Sequence, residues 1–137
     1  MRLDTLTRRL LVVDDDPAIC TVYRDVFGRQ DYDVVIAMSV GQAMERMDAL
    51  KGDAAVLVVD IGLPDGDGAD FVRAAVAKYG ERPTLFVSGW TDEFWDLSQM
   101  SGRWLVMRKP IPMQKLNAAV HWFANGGEKP AELSAPD

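Results

Sequence analysis

The sequence predicts an α/β protein, a doubly wound parallel sheet of five strands with helices on both faces. Three observations predict it. Short apolar runs alternate with helical segments five times along the chain. The runs are continuously apolar, as strands covered on both faces are, whereas a half-exposed sheet would alternate apolar and polar residues. A glycine stands at the end of each helical segment, at Gly28, Gly52, Gly80, Gly102 and Gly126, where a chain commonly turns through the left-handed conformation. Right-handed crossovers between such units wind the sheet and place helices on both sides.

The first strand is Leu10-Leu11-Val12-Val13. The first helix follows with Asp16 as N-cap, Pro17 at its first position and a stripe of Ile19, Val22, Tyr23, Val26 and Phe27. Val34 to Ala37 form the second strand; Ser39, with Gln42 three residues on, opens the second helix as a capping box and buries Val40, Ala43, Met44 and Met47. The third strand is Ala54 to Val59, and its helix carries Phe71, Val72, Ala75 and Val76. Thr84 to Val87 form the fourth strand. A fourth helix begins at Thr91, with Asp92 and Glu93 in the first turn where they suit the helix dipole. Trp104 to Met107 form the fifth strand, and the fifth helix starts near Pro112 with Leu116, Ala119, Val120 and Phe123 inward.

The chain has 137 residues, the size of one domain, expected over 1–126 with a flexible tail over 127–137. An apolar content of 48% is enough for a sizeable core and excludes wholesale disorder. The formal charge of −6 disfavours general affinity for nucleic acid or anionic lipid. Cys20 is the only cysteine, so no internal disulfide forms. The first nine residues hold no apolar signal-peptide core, and no apolar run approaches the ~20 residues of a membrane span. The default expectation is a cytoplasmic protein that binds neither nucleic acid nor membrane.

Ligands of an open α/β sheet bind beyond the carboxyl ends of its strands, and the residues there are polar. Asp14, Asp15 and Asp16 follow the first strand, Asp60 the third and Ser88 the fourth, while the fifth leads through Arg108 to Lys109. If the first and third strands are neighbours, Asp14, Asp15 and Asp60 converge on one pocket edge. Carboxylates that close repel unless a cation joins them, and hard oxygen donors suit Mg²⁺. Asp60 would then serve as nucleophile toward a phosphoryl group whose charge is held by Mg²⁺, Lys109 and Ser88.

Four segments, Val12-Val13-Asp14-Asp15-Asp16-Pro17, Val59-Asp60-Ile61-Gly62-Leu63-Pro64-Asp65-Gly66-Asp67-Gly68, Val87-Ser88-Gly89 and Arg108-Lys109-Pro110-Ile111, together resemble the response-regulator receiver family across residues 8–125. The resemblance implies the flavodoxin-like receiver fold with strand order 2-1-3-4-5. It implies Asp60 as phosphoacceptor and Mg²⁺ held by Asp15 directly, Asp14 through water, Asp60 and the Gly62 carbonyl. Ser88 would bond the phosphoryl oxygen, Lys109 would pair with the same group, and the Lys109–Pro110 bond would be cis. The implied role is a phosphorylation-switched signalling module that catalyses its own phosphorylation and dephosphorylation, rather than a metabolic enzyme. The implied partners are a histidine kinase or histidine phosphotransfer protein and a downstream protein on the fourth helix, fifth strand and fifth helix. The chain is expected to be a monomer or weak dimer.

One departure stands out: Val106 occupies the place, three residues before the lysine, where the family usually has a switching Tyr or Phe. Trp90 and Trp104 are the nearest substitutes in sequence. Gly62 and Trp90 flank the pocket in the family and bear on water access.

Several residues have simpler readings. Asp16, Asp65 and Asp67 are expected to cap helices and form turns. An EF-hand starting at Asp65 fails, since Asp70 falls where glycine is needed and Val76 where glutamate is needed. His121 is expected to be a solvated surface residue and Cys20 a half-buried packing residue, while Trp95 and Trp122 are packing residues or part of a partner patch. The rival functions are a degenerate receiver acting as a constitutive binding module, and a receiver fragment of a hybrid kinase or transcription factor. A metal-dependent phosphatase would need an acid where Gly62 stands.

Overall fold

The protein, a computed structural model, is described over residues 8–89, 97 and 100–134. The expected helix beginning at Thr91, together with Trp90 and Trp95, lies outside the described residues. The main sheet consists of β1 (Arg8–Val13), β2 (Tyr32–Ala37), β3 (Val56–Asp60), β6 (Thr84–Ser88) and β7 (Trp104–Arg108), in the order β2-β1-β3-β6-β7 and parallel throughout. Counting only these five, the order is the expected 2-1-3-4-5. A two-stranded antiparallel hairpin, β4 (Gly62–Leu63) and β5 (Gly66–Asp67), stands apart from the sheet.

Alternate residues of each strand serve opposite faces. Leu10, Val12, Val56, Val58, Leu85 and Val87 pack with Tyr23 and Phe27 of α1 (Pro17–Gly28) and with Leu116, Ala119, Val120 and Phe123 of α4 (Met113–Asn125). Leu11, Val13, Leu57, Val59 and Phe86 pack on the other face with α2 (Val40–Ala49) and α3 (Gly68–Tyr79). Both faces being covered explains the unbroken apolar runs. The edges behave differently. β3 and β6 are buried at every residue, whereas β2 and β7 are half-buried over much of their length. A fully buried Val, Leu or Phe contributes roughly 1.5–3 kcal/mol, so the cohesive energy is concentrated in the central strands.

The helix caps form largely as the sequence indicates. Asp16 accepts from Ala18 N at 2.9 Å, with Pro17 opening α1. Ser39 Oγ accepts from Gln42 N at 3.1 Å, and Gln42 Oε1 reaches back to Met38 N at 3.0 Å, one residue earlier than in the regular box. Gly80 and Gly126 cap α3 and α4 with φ of +94° and +76°. Gly28 does not follow the rule. It is the last residue of α1, and the left-handed turn falls instead at Asp31, φ +68°, a conformation Asp tolerates better than most residues.

Other residues also differ from expectation. Val22 is 44% exposed rather than part of the buried stripe of α1, because that flank of the helix faces an open cleft. Cys20 is fully buried, its thiol 3.3 Å from the Asp14 carbonyl. His121 is half-buried: Nδ1 lies 3.2 Å from the Tyr32 hydroxyl and Nε2 pairs with Gln30 Oε1. Periodicity places His121 off its own helix's stripe, but says nothing of Gln30 and Tyr32, which reach it from α1's end and β2. Beyond α4 the chain forms one further turn, α5 (Ala131–Ser134), and Leu133 packs against the α1–α4 face; neither feature tests the expected domain boundary at 126. Trp122 Nε1 donates to the Gly127 carbonyl at 3.2 Å. Among the described residues, no helix is long and apolar enough to cross a membrane.

Candidate functional site

The chain passes from β1 outward to β2 and then back across to β3, on the other side of β1. The order therefore reverses between β1 and β3, and the carboxyl ends of these two strands form the crevice where ligands of such sheets bind. Asp14, Asp15 and Asp60 meet there, with one carboxylate oxygen from each lying within 4.8 Å of the others. Asp14 and Asp60 are buried and Asp15 is exposed.

Local structure fixes each carboxylate. Asp14 N donates to the Ala37 carbonyl at the end of β2, and Asp14 Oδ1 accepts from Asp16 N at 2.9 Å. Asp60 ends β3, and its Oδ1 accepts from Gly62 N at 3.1 Å. Lys109 follows β7, held by its N–H to the Ser88 carbonyl at 2.8 Å; its peptide bond to Pro110 is cis. Its Nζ lies 3.0 Å from Asp60 Oδ2 and 3.3 Å from Asp14 Oδ2.

The electrostatics follow from this geometry. Burial raises the Asp60 carboxyl above the ordinary carboxylate value, and the nearby Asp14 adds to the rise; the Lys109 ammonium and the Gly62 N–H oppose it without cancelling it. Burial alone would lower the Lys109 ammonium. The Asp60 hydrogen bond and the charges of Asp14 and Asp60 outweigh that, so its pKa is raised and it stays charged.

Ser88 ends β6 and is buried, and among the described residues its hydroxyl has no hydrogen-bond partner. An orphaned buried hydroxyl is costly. Beside an ammonium and three carboxylates, it fits an incoming oxygen-rich group. Of the residues expected at the site, the structure brings Asp14, Asp15, Asp60, Lys109 and Ser88 together at one end of the sheet. Gly62 joins them through its N–H on Asp60, and it lies exposed in β4.

Trp104 does not stand beside Ser88. The register pairs it with Thr84, whereas Ser88 lies opposite Arg108. Its ring meets Phe86 edge-on at 6.3 Å, at the far end of the strand from the site. Val106 lies opposite Phe86, so among the described residues of β7 no aromatic occupies the place expected for a switch.

Sequence reasoning did not find the role of Asp65. It accepts from Val40 N at 2.7 Å and Gly41 N at 3.0 Å, at the N-terminus of α2. A turn residue was legible in Pro64-Asp65-Gly66; its partner, 25 positions earlier, was not.

Among the described residues, Asp14, Asp15 and Asp60 are the one acidic trio close enough to share a cation, and they stand at the switch point of a doubly wound sheet. The family model for the response regulator receiver domain matches residues 10–121, and the chain belongs to that family, the receivers of two-component signal transduction. It is 31% identical over 136 residues to the transcriptional regulatory protein TrcR of Mycobacterium tuberculosis, covering 96% of this chain and 52% of that protein. It is 30% identical over 134 residues to the DNA-binding response regulator MtrA of Mycolicibacterium smegmatis, covering 96% of this chain and 57% of that protein. The chain thus spans about half the length of these curated relatives. The crystal structure of a response regulator receiver protein from Sinorhizobium medicae shares the fold, with a TM-score of 0.77 at 21% identity over 90% of this chain and 99% of that one.

Proposed function

We propose that the chain is a phosphorylation-controlled receiver in which Asp60 accepts a phosphoryl group from the phosphohistidine of a histidine kinase or histidine phosphotransfer protein. The observation that carries this reading is the Lys109 ammonium bridging buried Asp14 and Asp60 while the neighbouring strand offers a buried Ser88 hydroxyl that has no partner among the described residues. An Asp60 oxygen attacks phosphorus; the O–P bond forms as the donor's P–N bond breaks, and the leaving imidazole takes up a proton. Lys109 pairs with one phosphoryl oxygen and the Ser88 hydroxyl donates to another, so the chain contributes position and charge rather than covalent help.

Asp14, Asp15, Asp60 and the Gly62 carbonyl would hold Mg²⁺; their oxygen donors and the mutual spacing of the three carboxylates fit that ion. When bound, Mg²⁺ supplies positive charge against the phosphoryl oxygens. Donor docking is supported by an apolar cleft of about 520 Å³ beside Lys109 and Pro110, lined by Ile19, Val22, Ile111 and Met113. The output is a change in affinity for a downstream protein, limited to the difference in how phosphorylation interacts with the two states.

The names of the relatives favour a second reading of the output: the receiver controls a DNA-binding regulator, as TrcR and MtrA are described. In that case the receiver itself still acts through protein contacts, given its net charge of −6.

Intact mass after incubation with acetyl phosphate and Mg²⁺ tests the core of the reading. One added phosphoryl group is expected in the wild type, and none in Asp60→Asn or without Mg²⁺. Equal mass gain in Asp60→Asn would place the acceptor elsewhere.

A further inference from the structure

The segment between Asp60 and α3 is short and closed at its base; Ile61 and Leu63 are buried in the core, while Gly62 and the tip Pro64-Asp65-Gly66 are exposed. Gly68 N donates to the Ile61 carbonyl at 2.9 Å, and Asp67 caps α3 through Ala69 N at 2.8 Å. Gly68 itself has no room for a side chain, since a Cβ would lie 2.2 Å from the Asp60 carbonyl oxygen. Between these anchors stand only the two residue pairs of the hairpin, Gly62 with Asp67 and Leu63 with Gly66. A hairpin of that length has too few contacts to hold its own geometry in water.

Its tip is held from outside. The Asp65 carboxylate spans two consecutive N–H groups at the start of α2, at 2.7 and 3.0 Å. These donors have no partner within the helix, and the positive end of the helix dipole favours an anion there. The two backbone hydrogen bonds hold the Asp65 carboxyl below the usual carboxylate range, so it is ionised at neutral pH. The contact between Gly66 and Val40, where a Cβ on Gly66 would lie 3.4 Å from Val40 Cγ2, places the turn close against the same helix start.

We infer that Asp65 is a positioning residue for the phosphoacceptor site: by pinning the hairpin tip to α2 it fixes Gly62, whose N–H orients Asp60 and whose carbonyl completes the proposed cation site. Asp65 touches neither phosphoryl group nor cation. It acts through the four residues from Gly62 to Asp65. The inference deepens the phosphoacceptor reading and rests on it for its Mg²⁺ component. The pinning itself does not.

The test compares wild type, Asp65→Ala, Asp65→Asn and Ser39→Ala. Ser39 is the other cap of the same helix, through Gln42 N, so its loss weakens α2 without releasing the hairpin. Hydrogen exchange across 62–67, without metal, should accelerate about tenfold or more in Asp65→Ala and stay unchanged in Ser39→Ala. Mg²⁺ titrated by calorimetry should bind about tenfold more weakly to Asp65→Ala, as is typical when a group supporting a metal ligand is removed. The half-saturating Mg²⁺ for phosphorylation by acetyl phosphate should rise in parallel, while the rate at saturating Mg²⁺ changes less. Asp65→Asn, which keeps an acceptor oxygen, should lie between.

Wild-type exchange and Mg²⁺ affinity in Asp65→Ala would overturn the inference, as would an equal loss in Ser39→Ala. Failure of the wild type itself to bind Mg²⁺ or gain mass would sink the phosphoacceptor reading and the cation component with it. The exchange data would then still decide whether Asp65 pins the hairpin.

Discussion

The Lys109 ammonium joins two carboxylates from different strands, 3.0 Å from Asp60 and 3.3 Å from Asp14. Both carboxylates are nearly inaccessible, while the lysine side chain keeps 29% of its surface in water. The bridge therefore offsets a desolvation cost that two like charges would otherwise bear alone. Lys109→Met should lower metal-free stability by about 1–3 kcal/mol, less than the 3–5 kcal/mol of a fully buried pair. Added Mg²⁺ should recover more stability in the variant than in the wild type, because it replaces the missing charge. Thermal melts with and without Mg²⁺ measure both; an unchanged metal-free Tm would mean the bridge contributes nothing. Since the Lys109 pKa is raised, the ammonium side of the bridge persists through neutral pH and is lost as pH rises through that elevated value, whereas the carboxylate side is lost at low pH as Asp60 protonates.

Asp60 carries the opposite linkage. Its folded pKa lies above the unfolded one, so the folded state holds the proton more tightly. The resulting stabilisation is complete below the unfolded pKa and is lost as pH rises through the folded value. At neutral pH the charged Asp60 is thus a cost. Asp60→Asn should raise the metal-free Tm near pH 7 by about 3 °C or more, with the gain shrinking as pH falls toward the carboxylate range. A Tm gain independent of pH would contradict this assignment.

Ser88 separates stability from activity. Its buried hydroxyl lacks a partner among the described residues, so Ser88→Ala removes an unsatisfied polar group. The expected result is a Tm equal to or above the wild type, by up to about 1 kcal/mol of stability, together with slower phosphorylation by acetyl phosphate. Loss of stability without loss of phosphorylation rate would reverse the role given to this hydroxyl.

Gly68 is constrained by space rather than by backbone angle. A Cβ there would meet the Asp60 carbonyl oxygen at 2.2 Å and Val59 Cγ1 at 2.7 Å. Gly68→Ala should cost about 1–3 kcal/mol, as overpacking does, and should weaken Mg²⁺ binding because the displaced backbone carries Asp60. Calorimetric titration beside a denaturant melt checks the two together.

Much of this was legible along the chain. The unbroken runs at Leu10–Val13 and Val56–Val59 signalled strands covered on both faces, and the charged residues following them signalled a site at the carboxyl edge. Local caps such as Asp16 before Pro17 and Ser39 before Gln42 were equally readable, because donor and acceptor lie within four residues. Contacts between distant segments were not. The Asp65 carboxylate on α2, and His121 held between Gln30 and Tyr32, join residues 24 to 91 positions apart. The β4–β5 hairpin, with two residues per strand, is too short to leave a periodicity.

The sequence by itself determined the alternation of strands and helices, the faces they bury and the residue types at the strand ends. These follow from local propensity and hydrophobic spacing, which any segment carries with it. Only the tertiary structure decided that Asp14 and Asp60 share one ammonium, that the Ser88 hydroxyl lacks a partner among the described residues and that Trp104 stands away from it. Those relations depend on strand order and register, and register is set by how the covered faces pack against each other rather than by any one segment.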